Sequence, residues 1–164
     1  MQSLIRDAFS DFFEVPGQWK VDLKNWLELD PPSLHSSSIA GLREGVVTAN
    51  VEIENFGGAL TTGVKGDIKL ERDFLIVGWS LLADVSGDIQ IDIWKDAYGN
   101  YPPTNADSIT SASPPTLSGQ DHARDTALVG WDTAVAAGDT LRFNIDSVSG
   151  ISRVCLALAL RPRS

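Results

Sequence analysis

Hydrophobic and polar positions follow two different rhythms along this chain, and the change falls near position 40. Before it, Leu4, Ile5, Ala8, Phe9, Phe12 and Phe13 recur at helical spacing, with Arg6, Asp7, Ser10, Asp11 and Glu14 between them. Residues three and four apart share one helix face, so this spacing predicts an amphipathic helix. Ser3 is its expected N-cap, and Val15-Pro16-Gly17 stops it. The next segment, QWKVDLKNWLELD, places Trp19, Leu23, Trp26 and Leu27 on one helical face, while Val21, Leu23 and Asn25 also permit a strand. DPPSLHSSS at 30–38 reads as a linker because it is rich in proline and serine.

From about Gly45 the period becomes two. VVTANVEIE, VKGDIKL, FLIVGWSLLA, DIQIDIW, ALVGW, DTLRFNI and RVCLALAL are runs of strand length bounded by Gly, Asp, Asn or Pro. A Gly-Asp pair precedes a strand at Gly66-Asp67, Gly87-Asp88 and Gly138-Asp139, which predicts hairpin or strand-start turns. About seven or eight short strands at this spacing predict a mainly β fold: an antiparallel β-sandwich, jelly-roll-like, with a short N-terminal helical arm. The expected division is an arm and linker at 1–38 and a β-sandwich domain at 39–164. Lys95 to Asp125 interrupts the pattern with two Pro-Pro pairs and many small polar residues. A loop of that length is usually functional or wraps a neighbour; short edge strands around DSIT and PTLS are expected to divide it.

The arm carries Phe9, Phe12, Phe13, Trp19 and Trp26, a heavy aromatic load. A short helix cannot bury that face alone, so it packs on its own domain, on sister subunits or on another protein. Leu4, Ile5, Phe9, Phe12, Phe13, Trp19 and Trp26 are the candidate docking residues.

The stretch GDIQIDIWKDAYGNYPPT at 87–104 is the first place to look for chemistry. Ile89, Ile91 and Ile93 fall on one side of an extended chain, and Asp88, Gln90 and Asp92 fall on the other. Along a strand, Asp88 and Asp92 stand roughly 13 Å apart, too far for a shared proton or one calcium ion. The expected role of these acids is a solvated face. The same separation exceeds the roughly 5–9.5 Å used by paired glycosidase carboxylates. His35 lies in the serine-rich linker, and His122 in QDHARD reads as a solvated loop residue without a nucleophile motif. ENFGGALTTG lacks the lysine-serine/threonine end of a phosphate loop. Trp79, Trp94 and Trp131 sit in strand-like runs and are expected in the core or at a subunit contact. Tyr98, Asn100 and Tyr101 lie in a loop of small polar residues, a composition suited to recognition or subunit contact.

Charge and cysteine usage narrow the classes. A formal charge of −9 over 164 residues, with no basic run interleaved with aromatics, argues against a nucleic-acid binder or an anionic-membrane binder. The N-terminus has acids early and no long apolar run, so no secretory signal is expected. Val154 to Leu160 is too short to span a bilayer, and no membrane insertion is expected. A single cysteine, Cys155, removes any disulfide framework or cysteine-based zinc site; its place in an apolar run predicts a buried, inert thiol. No metal or other cofactor and no catalytic residue is expected.

Four strings then stand together: ALTTGVKGDIKL, GWSLLADVSGDIQIDIWKDAYGNYPPTNADSIT, PPTLSG and GWDTAVAAGDTLRFNIDSVSGISRVCLALAL. They resemble a β-sandwich domain of tailed-bacteriophage virion proteins, often the C-terminal module of tail, fibre or other particle proteins. The resemblance runs from about Ala59 to Arg161, and its most specific portion is the string from Asp92 to Thr110, together with GW and the later GDTLRFNIDS. It implies a homotrimer in the virion, assembled in the host cytoplasm, with no chemistry of its own. Its implied partners are other virion proteins, in the tail or baseplate or the major capsid protein, and a bacterial surface receptor. With about 40 residues before the domain, no long fibre shaft is expected. The leading expectation is a small trimeric tail or fibre appendage, docked by its arm and presenting the sandwich for host-surface recognition. The alternative is a capsid decoration or cement protein, and a remote one is a glycan-acting depolymerase.

Overall fold

The alternation after Gly45 resolves into seven antiparallel strands in a computed structural model, which describes residues 45–163. The strands are β1 (Val47–Glu54), β2 (Gly63–Lys69), β3 (Phe74–Ala97), β4 (Thr116–Asp125), β5 (Ala134–Val135), β6 (Asp139–Ser149) and β7 (Arg153–Pro162). They form one curled sheet in the order β1-β7-β3-β6-β2, with β4 and β5 also paired to β3. The mainly β, antiparallel, jelly-roll-like architecture expected from the sequence is therefore present. The candidate docking residues of the arm, Leu4 to Trp26, lie outside the described residues.

Strand β7 shows why these sequences form sheet. Val154, Leu156, Leu158 and Leu160 are buried on one side, while Cys155, Ala157 and Ala159 are only half-buried on the other. Burying each large side chain contributes about 1.5–3 kcal/mol, so a one-residue slip in register would lose the whole set. The facing residues are Ile76, Trp79 and Leu81 of β3, and the same core takes in Leu141, Phe143 and Ile145 of β6. Trp79 and Trp131 belong to this core, as expected, although the Trp79 indole N–H has no partner there.

The sequence predicts two strands where the structure has one. FLIVGWSLLA and DIQIDIW are parts of the 24-residue β3, whose first half pairs with β7 and whose second half pairs with β6. The change of neighbour falls at Asp84–Gly87, opposite the turn that joins β6 to β7. The Asp84 carboxylate accepts the amides of Ser152 (3.3 Å) and Arg153 (3.2 Å), tying the crossing to that turn. A Cβ on Gly87 would lie 2.7 Å from both Ile151 Cγ1 and the Ser149 carbonyl oxygen. Gly87 thus serves a close approach of two backbones and does not make a turn. Gly66-Asp67 is likewise inside β2, beside a bulge. Gly138-Asp139 does mark a turn: Gly138 has φ +93°, and β6 starts at Asp139.

Two further expectations are corrected. ALVGW is a turn, because the Asp125 carboxylate accepts the amides of Ala127 (2.9 Å) and Leu128 (3.0 Å), and Leu128 sits at φ 47°. Its apolar residues signalled burial, since Leu128 and Trp131 are in the core. DHARD lies in β4 and not in a loop; His122 is exposed there, with its ring 2.6 Å from the Asp121 carboxylate. Cys155 is half-buried, its thiol pushed up in pKa by burial and then by nearby Glu52, which disfavours the reactive thiolate.

Candidate functional site

The acidic face of β3 does not behave as one surface. Asp88 is exposed, and its Oδ1 accepts the Gly119 amide at 2.9 Å. Asp92, expected to be solvated, is 6% exposed. The correction has a physical reason. Alternation does point Asp92 away from the Ile side, but the segment before β4 runs back along the edge of β3 and covers that position. Ile109 donates its amide to the Ile93 carbonyl (2.9 Å), Ser108 bridges to Trp94, and Ile91 donates to the Pro115 carbonyl (3.0 Å). Asp92 Oδ1 then accepts the Ile93 amide (2.8 Å) and the hydroxyls of Ser108 (2.7 Å) and Thr110 (2.5 Å), and Oδ2 accepts the Trp94 indole (2.7 Å). Four donors satisfy a carboxylate that burial would otherwise penalise.

This clamp closes the base of the Asp92–Thr110 string. Beyond the base, the Asp96 carboxylate accepts the Ala97 amide (2.7 Å) and the Asn100 side-chain amide (3.0 Å), shaping a 3-10 turn at Tyr98–Asn100. A second such turn, Asn105–Asp107, is capped by Thr104, whose hydroxyl and amide both donate to Asp107 Oδ2 at 2.8 Å. These hydrogen bonds brace the loop from within.

The loop leans on the outward face of β2 and β6. Register places Asp67, Arg142 and Trp94 in one row across β2, β6 and β3, and Lys69, Thr140 and Asp96 in the next. Arg142 grips Asp67 in two bonds, Nε to Oδ1 at 2.7 Å and a terminal nitrogen to Oδ2 at 2.9 Å. The Tyr101 hydroxyl joins this pair, donating to Asp67 Oδ2 at 2.9 Å and accepting from Arg142 at 3.0 Å. The Arg142 guanidinium lies 5.2 Å from the Tyr101 ring centre, and the Lys69 ammonium lies 5.1 Å from that of Tyr98. Arg142 holds the Asp67 carboxyl below the usual carboxylate range; burial opposes it, and the Tyr101 hydroxyl adds a smaller lowering.

Between loop and sheet lies an open depression of about 470 Å³ lined by Asp67, Lys69, Tyr98, Tyr101 and Thr140. Tyr98 is 67% exposed and Tyr101 52%, while Thr140 is buried. Of the residues expected for recognition, Tyr98 and Tyr101 meet at this depression, and Asn100 braces the loop behind them through Asp96. Sequence reasoning missed Asp67, Lys69, Thr140 and Arg142. A signal existed for Arg142, which stands between the apolar Leu141 and Phe143 and so had to face outward. Among the described residues, no three His, Cys, Asp or Glu side chains converge as a metal site.

No protein-family model and no curated protein matches the sequence. Among solved structures, a chain from the capsid of Ralstonia phage GP4 matches at 12% identity with a TM-score of 0.45, covering 73% of this chain and 86% of that one. At that TM-score the likeness is a matter of general β architecture and carries no weight for function.

Proposed function

We propose that this chain is a structural protein of a bacteriophage particle, a small trimeric tail or fibre appendage that docks through residues 1–38 and displays the Tyr98–Tyr101 loop to the host surface. The observation that carries this reading is how the Asp92–Thr110 string folds. The part of the sequence most specific in its resemblance to virion modules is closed at its base by Asp92 and opens outward on two exposed tyrosines. A rigid loop on a β scaffold is a common way to present recognition residues. The reading assigns no catalysis to the chain, and the buried Asp92 carboxylate takes its donors from β3 itself and from the Ser108–Thr110 segment.

Capsid decoration is the second reading, and a separate observation favours it. The outward face beside the first half of β3 carries the small, half-buried Ser80, Cys155, Ala157 and Ala159 with the exposed Leu82 beside Cys155, a weakly polar surface able to lie against a coat protein.

Gold labelling of a tagged copy on intact particles tests both. Label at the tail tip supports the appendage, and label over the head replaces it with decoration. Deleting residues 1–30 should leave a folded β domain that no longer joins the particle; loss of the β circular-dichroism signal would assign the arm to the core instead.

A further inference from the structure

We propose that the depression beside Tyr98 binds an uncharged saccharide, with a pyranose ring stacked on the Tyr98 ring and its hydroxyls meeting Asp67, Lys69 and the Tyr101 hydroxyl. This deepens the host-recognition reading and rests on it.

Charge balance argues for a neutral ligand. The two cations at the site each have a carboxylate in contact: Lys69 with Glu71 at 2.8 Å and Arg142 with Asp67 at 2.7 Å. Two cations and two carboxylates leave the site without net charge, so it holds no excess attraction for an anion or a cation. A polyol needs none. Its hydroxyls both donate and accept, which suits a carboxylate, an ammonium and a phenol hydroxyl lining one depression.

Shape argues the same way. Tyr98 has the Lys69 ammonium near its ring, yet stays 67% exposed, so much of the ring is open to solvent. The C–H face of a pyranose is apolar and slightly positive, and it stacks on the electron-rich face of an aromatic ring. A space of about 470 Å³ falls within the range of small-molecule sites, at a size for one or two sugar units. The loop is already ordered by Asp92 and Asp96, so binding loses little conformational entropy. An open site with few contacts gives weak single-site affinity, multiplied in the particle by the number of copies.

The test is 1H–15N NMR titration of the full chain with maltose, cellobiose, lactose and N,N′-diacetylchitobiose, and with glucose 6-sulfate as a charged comparison. At least one neutral disaccharide should shift the amides of Lys69, Tyr98–Tyr101 and Thr140 with a Kd of about 1–10 mM. Tyr98→Ala should weaken that binding about tenfold or more, and Tyr98→Phe should keep it. The proposal falls if none of the four disaccharides gives a saturable shift by about 50 mM, if Tyr98→Ala binds as the parent does, or if glucose 6-sulfate binds best. Adsorption of particles carrying Tyr98→Ala separates the two levels. Reduced adsorption without sugar binding overturns the saccharide alone, and unchanged adsorption overturns the recognition reading beneath it.

Discussion

Strand β3 presents one outward face beside β7 and another beside β6, and the two are chemically opposite. Beside β7 the rows are Gly78 with Ala159, Ser80 with Ala157 and Leu82 with Cys155, small or apolar and without a charge. Beside β6 they are Asp92 with Asn144, Trp94 with Arg142, and Asp96 with Thr140, polar and crossed by the 98–115 loop. The same alternation produces both. Alternation decides which side chains leave the core; whether water then meets them depends on where the chain returns. On the second half of β3 the segment from Ser108 to Pro115 returns along the strand edge, so an outward acid becomes a buried clamp.

The sharpest way to break this contrast is to remove the clamp. Asp92→Ala leaves the Ile93 amide, the Trp94 indole and two hydroxyls without their acceptor in a covered place. It should lower the unfolding free energy by about 3 kcal/mol in urea titration, since each abandoned buried donor costs about 1–3 kcal/mol and the hydroxyls can turn to other acceptors. A loss under about 1 kcal/mol would mean that the carboxylate is not the fastener of the loop. Gly87→Ala comes next. Its Cβ would collide with the Ser149 carbonyl, a backbone atom that cannot swing aside, at the point where β3 changes neighbours. Overpacking of this kind costs about 1–3 kcal/mol, and a variant as stable as the parent would show that the two halves of the sheet can slide apart freely.

How much of this was legible in the sequence follows from the same contrast. Inward positions were readable: Ile89, Ile91 and Ile93, and the four apolar residues of β7, are buried as their period of two predicts. Long-range consequences were not. Gly87-Asp88 looks like a turn signal because glycine and aspartate favour turns, yet the glycine is required by the nearness of Ser149, more than 60 residues later. ALVGW looks like a strand because turns that bury a leucine and a tryptophan share its composition. At the site, Tyr98 and Tyr101 stood out as aromatics in a loop, but Asp67 and Arg142 are 75 residues apart and meet only through strand pairing.

The Asp67–Arg142 pair offers a milder test of the polar face. Its folded-state carboxyl is depressed, chiefly by Arg142, below the roughly 3.9 of an unfolded chain. A depressed carboxyl stabilises the fold fully above the unfolded value, and the contribution is lost as pH falls through the folded one. Asp67→Asn should therefore reduce stability by up to about 1 kcal/mol at pH 7, since the pair is partly open to water. The gap between variant and parent should close below about pH 4. Asp125 and Asp132 are depressed as well, so parent and variant both lose stability in the same acid window. The difference between the two proteins is the readout, and a gap that stays constant down to about pH 2 would detach Asp67 from the effect.

The smallest expected effect belongs to Asp88, which is why it completes the comparison with Asp92. Both acids point away from the isoleucines of one strand, four residues apart. Asp88 accepts a single amide, from Gly119, in an exposed position where water can replace the carboxylate. Asp88→Ala should cost about 0.5 kcal/mol, several-fold less than Asp92→Ala, when both are measured in the same urea series. Equal costs would mean that outward direction and not cover sets the value of an acid on this strand. A clear inequality assigns the value of Asp92 to the returning Ser108–Pro115 segment, because both residues leave the same side of β3 and only Asp92 is covered by it.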